Sequence, residues 1–238
     1  MDDQKTSNSM PHSGGARETS AFFALLSRTQ LINRWSLMRN MWPENVQEHS
    51  FQTALIAQAL VFIRRVHYPE SGPLLDPDRV LARALFHDAA EVLTGDLPTP
   101  VKYHSQSLHE AFVRLEDEAA TRLLALLPDE LRACYVPYIQ GTVAIEESAD
   151  WHVLSEEERA QAEKEKLIEE DTRRIIKVAD KISALIKCQL ETQQGNKEFE
   201  AAEHHTLQRI KAFESPEADY FIDVFLPDYL HSLDHYNV

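Results

Sequence analysis

The segment His87-Asp88-Ala89-Ala90-Glu91 sets an imidazole beside a carboxylate, with a second carboxylate four residues from the histidine. It lies in the run 78–93, whose apolar residues Val80, Leu81, Ala84, Leu85, Val92 and Leu93 have the spacing of a helix packed into a core. On such a helix His87 and Glu91 share a face. An imidazole and a carboxylate drawn into apolar surroundings need partners, and a divalent cation satisfies both. A structural histidine next to a helix-facing aspartate is the plainer alternative, because short motifs match by chance.

Two further positions offer the same chemistry. His49 falls in the first turns of a helix predicted from about 44 to 66, with Asn45 as N-cap and Glu48 three residues on as the capping-box acid. Asp180 sits midway through a helical pattern over 172–190, marked by Ile175, Ile176, Ala179, Ile182, Leu185 and Ile186. Two imidazoles and two carboxylates form an N2O2 set suited to Mn2+, Co2+, Zn2+ or Fe2+ rather than Ca2+. Spacing alone does not bring them together: His49 could be a solvent-facing histidine at a helix start, and Asp180 an exposed aspartate paired with Lys177 or Lys181.

The elements that must position these residues read as helices throughout. The patterns predict helices over 21–37, 101–127, 129–139, 196–213 and 216–230, with a loop at 67–77. Gly95 suits the C-cap of the His87 helix, and Leu97-Pro98-Thr99-Pro100 must be extended, since proline disfavours helix in the residue before it. Acidic residues dominate 146–171, as in a solvated helix or a mobile excursion. Six glycines in 238 residues and long Ala/Leu/Glu/Arg/Lys stretches argue for an all-α chain with one helical domain over 21–238. Residues 1–20, rich in Ser, Gly and Asp and without an apolar signal region, read as a disordered tail on a cytoplasmic protein.

Thirty-nine acidic against 24 basic residues give a net charge of −15, so the protein's field repels nucleic-acid polymers and anionic membranes. A small anion still fits where a metal and a few cations reverse the field locally. No apolar stretch is long enough to span a bilayer. Cys134 and Cys188 have neither metal nor redox spacing and are expected as reduced core residues. The other histidines, among them His104, His109, His204 and His205, are not expected to form a second site.

The order His49, then His87-Asp88, then a distal Asp180 resembles the HD-domain superfamily of metal-dependent phosphohydrolases. Longer blocks resemble its bacterial 5'-deoxynucleotidases of the YfbR type. They are Leu31-Ile32-Asn33-Arg34-Trp35, Met38-Arg39-Asn40, Glu44-Asn45-Val46-Gln47-Glu48-His49-Ser50, the stretch from His87 to Tyr103, and the stretch from Ala179 to Cys188. The resemblance implies a single HD-domain helical bundle that hydrolyses deoxyribonucleoside 5'-monophosphates with a divalent cation such as Co2+ or Mn2+, as a homodimer. It implies His49, His87, Asp88 and Asp180 as metal ligands and Glu91 as general base or water-orienting group. Asp96 would relay a proton to the leaving oxygen, and Arg34, Trp35, His49, Asp96, Thr99 and Lys102 form the substrate side. An HD phosphohydrolase acting on a pyrophosphate or cyclic nucleotide, or a nucleotide sensor without turnover, stays open on the sequence.

Overall fold

The computed structural model describes residues 19–102, 104–141 and 155–236. All but the last two residues of the expected tail, and positions 146–154 of the acidic stretch, lie outside them. In chain order the helices begin with α1 (Phe22–Leu26), α2 (Val46–His67), α3 (Pro77–Leu85), α4 (Glu91–Thr94) and α5 (Thr99–Lys102). They continue with α6 (Gln106–Leu124), α7 (Asp129–Ile139), α8 (Glu156–Gln193), α9 (Glu200–Lys211) and α10 (Pro216–Val224). Among the described residues the one β pairing is an isolated antiparallel bridge between Asn33 and Asn45, so the all-α reading holds.

Helix α2 starts where the sequence places it. The Asn45 side chain accepts from the Glu48 backbone N–H (2.9 Å), and Glu48 Oε2 accepts from the Asn45 N–H (3.3 Å), which satisfies two otherwise orphaned donors. Ala57, Leu60 and Val61 of α2 then pack with Val80 and Ala84 of α3, Ile175, Ile182 and Leu185 of α8, Ile210 of α9 and Phe221 of α10. A smaller cluster joins Phe22 of α1 and Leu123 and Leu124 of α6 to Ala89, with Phe86 and Tyr135 packed against it. Helices α2, α3 and α8 contribute to the first cluster, and the turn after α3 contributes Ala89 to the second.

Several boundaries differ from expectation, each for a local reason. The helix expected over 21–37 is α1 followed by a 3₁₀ turn, Ser27–Leu31. It stops because Val46 N donates to Ile32 O (3.0 Å) and Arg34 N donates to Glu44 O (2.9 Å), so chain pairing takes groups a helix would use. The helix expected over 78–93 is cut at Leu85 by a turn over 86–90, built from i→i−3 bonds such as Ala89 N to Phe86 O (3.0 Å) and Glu91 N to Asp88 O (3.0 Å). Burial of Ala89, 4% exposed, beside Phe86 rewards that turn over a continued helix. His87 and Glu91 are therefore not neighbours on one helix face.

Leu97 and Pro98 are in no helix, but Thr99 and Pro100, expected to be extended with them, open the short α5 (Thr99–Lys102), and the long helix begins only at Gln106, where Ser105 caps it. The pattern over 172–190 extends back to Glu156, where a Ser155–Glu158 capping box starts α8 and makes the acidic stretch helical from there. Its charges are not all solvated. Glu169 is buried against Arg83 of α3, and Asp171 pairs with Arg64 of α2, which also reaches the fully buried Glu217 of α10 at 2.5 Å. Toward the C-terminus, 3₁₀ turns at Lys197–Phe199 and Leu226–Leu230 replace the outer parts of the two predicted helices. Cys188 is buried but Cys134 is exposed, against the expectation that both lie in the core. No helix among the described residues is long and apolar enough to cross a membrane.

Candidate active site

His49, fully buried in the first turns of α2, meets Asp180 from the middle of α8: its Nε2 lies 3.1 Å from Asp180 Oδ1. The turn after α3 adds Asp88, whose Oδ2 lies 3.9 Å from His49 Nε2 and 3.1 Å from His87 Nε2. Donor atoms of His49, His87 and Asp180 all fall within 4.8 Å of one another. The four residues expected as ligands thus converge, although they come from three separate parts of the chain. Asp180 also pairs with Lys181 (2.6 Å), so the plainer reading of that aspartate describes its second oxygen.

The hydrogen bonds around the imidazoles hold each ring by its Nδ1. Ser183 gives its hydroxyl proton to Gln52 Oε1 (2.8 Å), so its oxygen accepts from His49 Nδ1–H at 3.1 Å. His87 Nδ1–H donates to Ala84 O (2.7 Å). With Nδ1 so engaged, each Nε2 faces a carboxylate oxygen; at His87 burial acts downward but is outweighed by Asp88, so its imidazole is raised. Nitrogen and oxygen ligands at about 2.1 Å from one ion sit roughly 3.0–3.5 Å apart, so the 3.1 Å pairs suit a divalent cation. Burial, and next the Arg34 charge, push the His49 imidazole down, toward the neutral form a ligand needs. At Asp88 burial acts upward but is outweighed by His87, His49 and Arg34, so its carboxyl lies well below the usual range.

Glu91 opens α4, 8% exposed, and its Oε2 is buried with no hydrogen-bond partner. A surface glutamate is excluded. Burial, then the Asp88 and Asp96 charges, push its carboxyl up to about 10. Asp96 follows Gly95, which caps α4 with φ 72°, a backbone conformation that a side chain would strain. Burial raises the Asp96 carboxyl too, against the pull of Arg34.

Arg34 reaches the cluster from the loop before α2, with Nη1 3.3 Å from Asp88 Oδ2 and Nη2 4.0 Å from Asp180 Oδ1. Its neighbour Trp35 donates Nε1–H to Glu44 Oε2 (2.8 Å) and packs its ring on Phe199, centroids 5.4 Å apart. Of the other two expected substrate residues, only Lys102 acts on this set, its charge pulling the Glu91 and Asp96 carboxyls down. Thr99 is exposed at the start of α5, and Lys102 Nζ pairs with Glu116 (2.9 Å) and lies 4.5 Å from the Phe112 ring centroid. Two cavities flank the cluster. One of about 360 Å³ is lined by Phe23, Phe51, Phe86 and Asp88; the other, about 220 Å³, by Arg83, Arg173, Lys177, His87 and Asp180.

Sequence reasoning passed over the residues that orient the set. Glu44, Gln52 and Ser183 lie within or beside the quoted blocks, but their roles depend on long-range contacts. Glu191 is a further case: fully buried, it accepts from the N–H groups of Met41 (2.9 Å) and Trp42 (3.0 Å) and from Asn196, and pairs with Lys187. Burial opposes its ionisation, but Lys187 and these donors win and hold it down at about 2. It moors the loop that carries Arg34 and Trp35 to α8. The structure also gathers Asp228, His231 and His235 on the surface, a group that was not expected.

A helical bundle with a His, a His-Asp pair and a distal Asp converging on one point is the architecture of HD-domain proteins. An HD-domain phosphohydrolase from Listeria innocua has this fold at TM-score 0.64 and 23% identity, covering 89% of both chains. So has a cyanophage S-2L HD phosphohydrolase, solved bound to dA and one catalytic Zn2+ ion, at TM-score 0.53 and 17% identity over 86% of this chain and 96% of that one. Within that class the chain belongs to the YfbR-like 5'-deoxynucleotidase family, whose model matches residues 21–229. A 5'-deoxynucleotidase of Erwinia tasmaniensis is 41% identical over 215 residues, 90% of this chain and 95% of its own length. The Escherichia coli 5'-deoxynucleotidase YfbR is 40% identical over 90% of this chain and 94% of its own.

Proposed function

We propose that this protein is a divalent-metal-dependent 5'-deoxynucleotidase that converts deoxyribonucleoside 5'-monophosphates to deoxynucleosides and phosphate. The observation that carries the reading is the convergence of His49, His87 and Asp180 donor atoms within 4.8 Å, with both imidazole Nε2 atoms turned toward carboxylate oxygens. His49, His87, Asp88 and Asp180 would hold the cation, of which Co2+ and Mn2+ are the candidates favoured here. A divalent ion there supplies Lewis acidity toward a phosphoryl oxygen and lowers the pKa of nearby water.

The chain's own groups supply the rest. Arg34 presents Nη1 and Nη2 to a phosphate with the planar fork suited to it. Glu91, close enough to the cluster to be raised by the Asp88 charge, takes the proton of the attacking water once positive charge beside Asp88 lets it ionise. Water adds to phosphorus as the bond to the 5'-oxygen breaks, and Asp96, whose carboxyl is raised, gives that oxygen its proton. Trp35 packs on the deoxyribose, and Thr99 and Lys102 serve as outer phosphate contacts. The apolar cavity beside Asp88 offers room for a base.

The reading extends to a cytoplasmic homodimer that binds neither nucleic-acid polymer nor membrane. The net charge of −15 supports the last two points. An exposed apolar stripe on α2, Phe51, Leu55, Phe62 and Val66, supports self-association. Residues 21–238 are read as its one domain. Phosphate release from a panel of deoxyribo- and ribonucleoside monophosphates, pyrophosphates and cyclic nucleotides, run with each metal after chelation, tests the function. Turnover confined to other members of the panel, or none at all, would overturn it.

A further inference from the structure

We propose that Glu44 is a positioning residue for substrate choice, holding the Trp35 indole and the Arg34 guanidinium in one fixed arrangement. The inference rests on reading Arg34 and Trp35 as substrate contacts, and it assigns the group that makes them selective.

Trp35 has φ 57°, in the left-handed region that residues with a bulky side chain avoid. A residue held there needs surroundings that over-determine it. Its carbonyl accepts from Met38 N–H (2.9 Å) and from the Asn40 amide (3.2 Å), and its ring rests on Phe199. The remaining freedom is the tilt of the indole, and the Nε1–H bond to Glu44 Oε2 at 2.8 Å removes it. The same oxygen accepts from Arg34 Nε at 3.2 Å. Because Glu44 takes the Nε edge, Arg34 Nη1 and Nη2 are left facing Asp88 and Asp180, where a phosphate would approach.

Glu44 is itself fixed at both ends. It precedes the N-cap residue of α2, its carbonyl accepts from Arg34 N–H (2.9 Å), and its other carboxylate oxygen lies 4.0 Å from His49 Nδ1. At 9% exposed it is a nearly buried carboxylate whose side-chain partners are these site residues. One oxygen therefore sets the distance and angle between a flat ring and a phosphate-binding fork. That relation decides whether a 2'-hydroxyl fits between them.

The test compares kcat/KM for a matched deoxyribo- and ribonucleoside 5'-monophosphate pair, with bound metal and melting temperature as controls. Trp35→Phe, which lacks the N–H, and Glu44→Ala should each lower the deoxy/ribo ratio by about three- to tenfold, the scale of one lost hydrogen bond. Glu44→Gln keeps an acceptor for the indole and should stay within about twofold of the parent ratio. On the Trp35→Phe background, Glu44→Ala should lower the ratio by less than it does in the parent, because only the bond to Arg34 Nε is left to lose. A parent ratio in Trp35→Phe or in Glu44→Ala, while Trp35→Ala still lowers it, would overturn the role of Glu44 and leave the substrate contact standing. A parent ratio in Trp35→Ala would overturn both.

Discussion

The trio His49, His87 and Asp180 and the trio Asp228, His231 and His235 each bring two imidazoles and a carboxylate within 4.8 Å, but their surroundings differ. The inner trio comes from α2, the turn after α3, and α8, and Ser183 and Ala84 O each hold one imidazole by its Nδ1–H. The outer trio comes from one short C-terminal stretch and is exposed throughout, with His231 Nδ1 3.1 Å from Asp228 Oδ1 and the two rings stacked at 3.9 Å. Exposed side chains lose rotamer freedom when they gather on an ion, whereas the inner residues lost theirs on folding. The same inventory of ligands is thus proposed as a site only where a supporting shell already holds both imidazoles.

The sharpest way to break this contrast is at the inner ligands. His87→Ala and Asp88→Ala should each lose bound metal and bring phosphate release to background. A variant that keeps both a full equivalent of metal and its turnover would refute the assignment. Glu91 separates holding the ion from using it: Glu91→Gln should keep metal and substrate binding while kcat falls about 10²-fold or more. Near-parental kcat would remove it from the mechanism. The supporting shell predicts a smaller loss. Ser183→Ala frees the His49 tautomer and should weaken metal affinity by about 10- to 100-fold, with most of the activity returning at saturating metal. Unchanged affinity would mean that Ser183 only packs. Least of all, the double change His231→Ala and His235→Ala should leave activity within about twofold and metal content unaltered; loss of an equivalent would make the outer trio a site.

Local chemistry was legible in the sequence where it is local in space. The Asn45–Glu48 capping box, the Gly95 C-cap and the bounds of α7 follow from a few adjacent residues, and the structure has all three. The four ligand candidates were readable as residue types, but their meeting was not, because Asp180 reaches His49 only through the packing of α8 on α2. The turn over 86–90 was hidden by apolar residues whose helical spacing continues past it to Val92 and Leu93. What decides there is the burial of Ala89 in the second cluster, a tertiary effect. Trp35 misled in the same way: an apolar run before it reads as helix, while the pairing of residues 32–34 with 44–46 turns the chain instead. Glu44, Gln52, Ser183 and Glu191 carry no local signature of their roles, since each acts on a residue brought to it by the fold.

The most direct test of the inner trio is to strip the protein with a chelator, return Co2+ or Mn2+ in measured steps, and follow bound metal together with phosphate released from a deoxyribonucleoside 5'-monophosphate. Release should be absent in the stripped protein, rise in proportion to bound metal, and saturate at one equivalent per chain. Full release by the stripped protein, or one equivalent bound without any release, would contradict the reading of His49, His87, Asp88 and Asp180 as a catalytic metal centre.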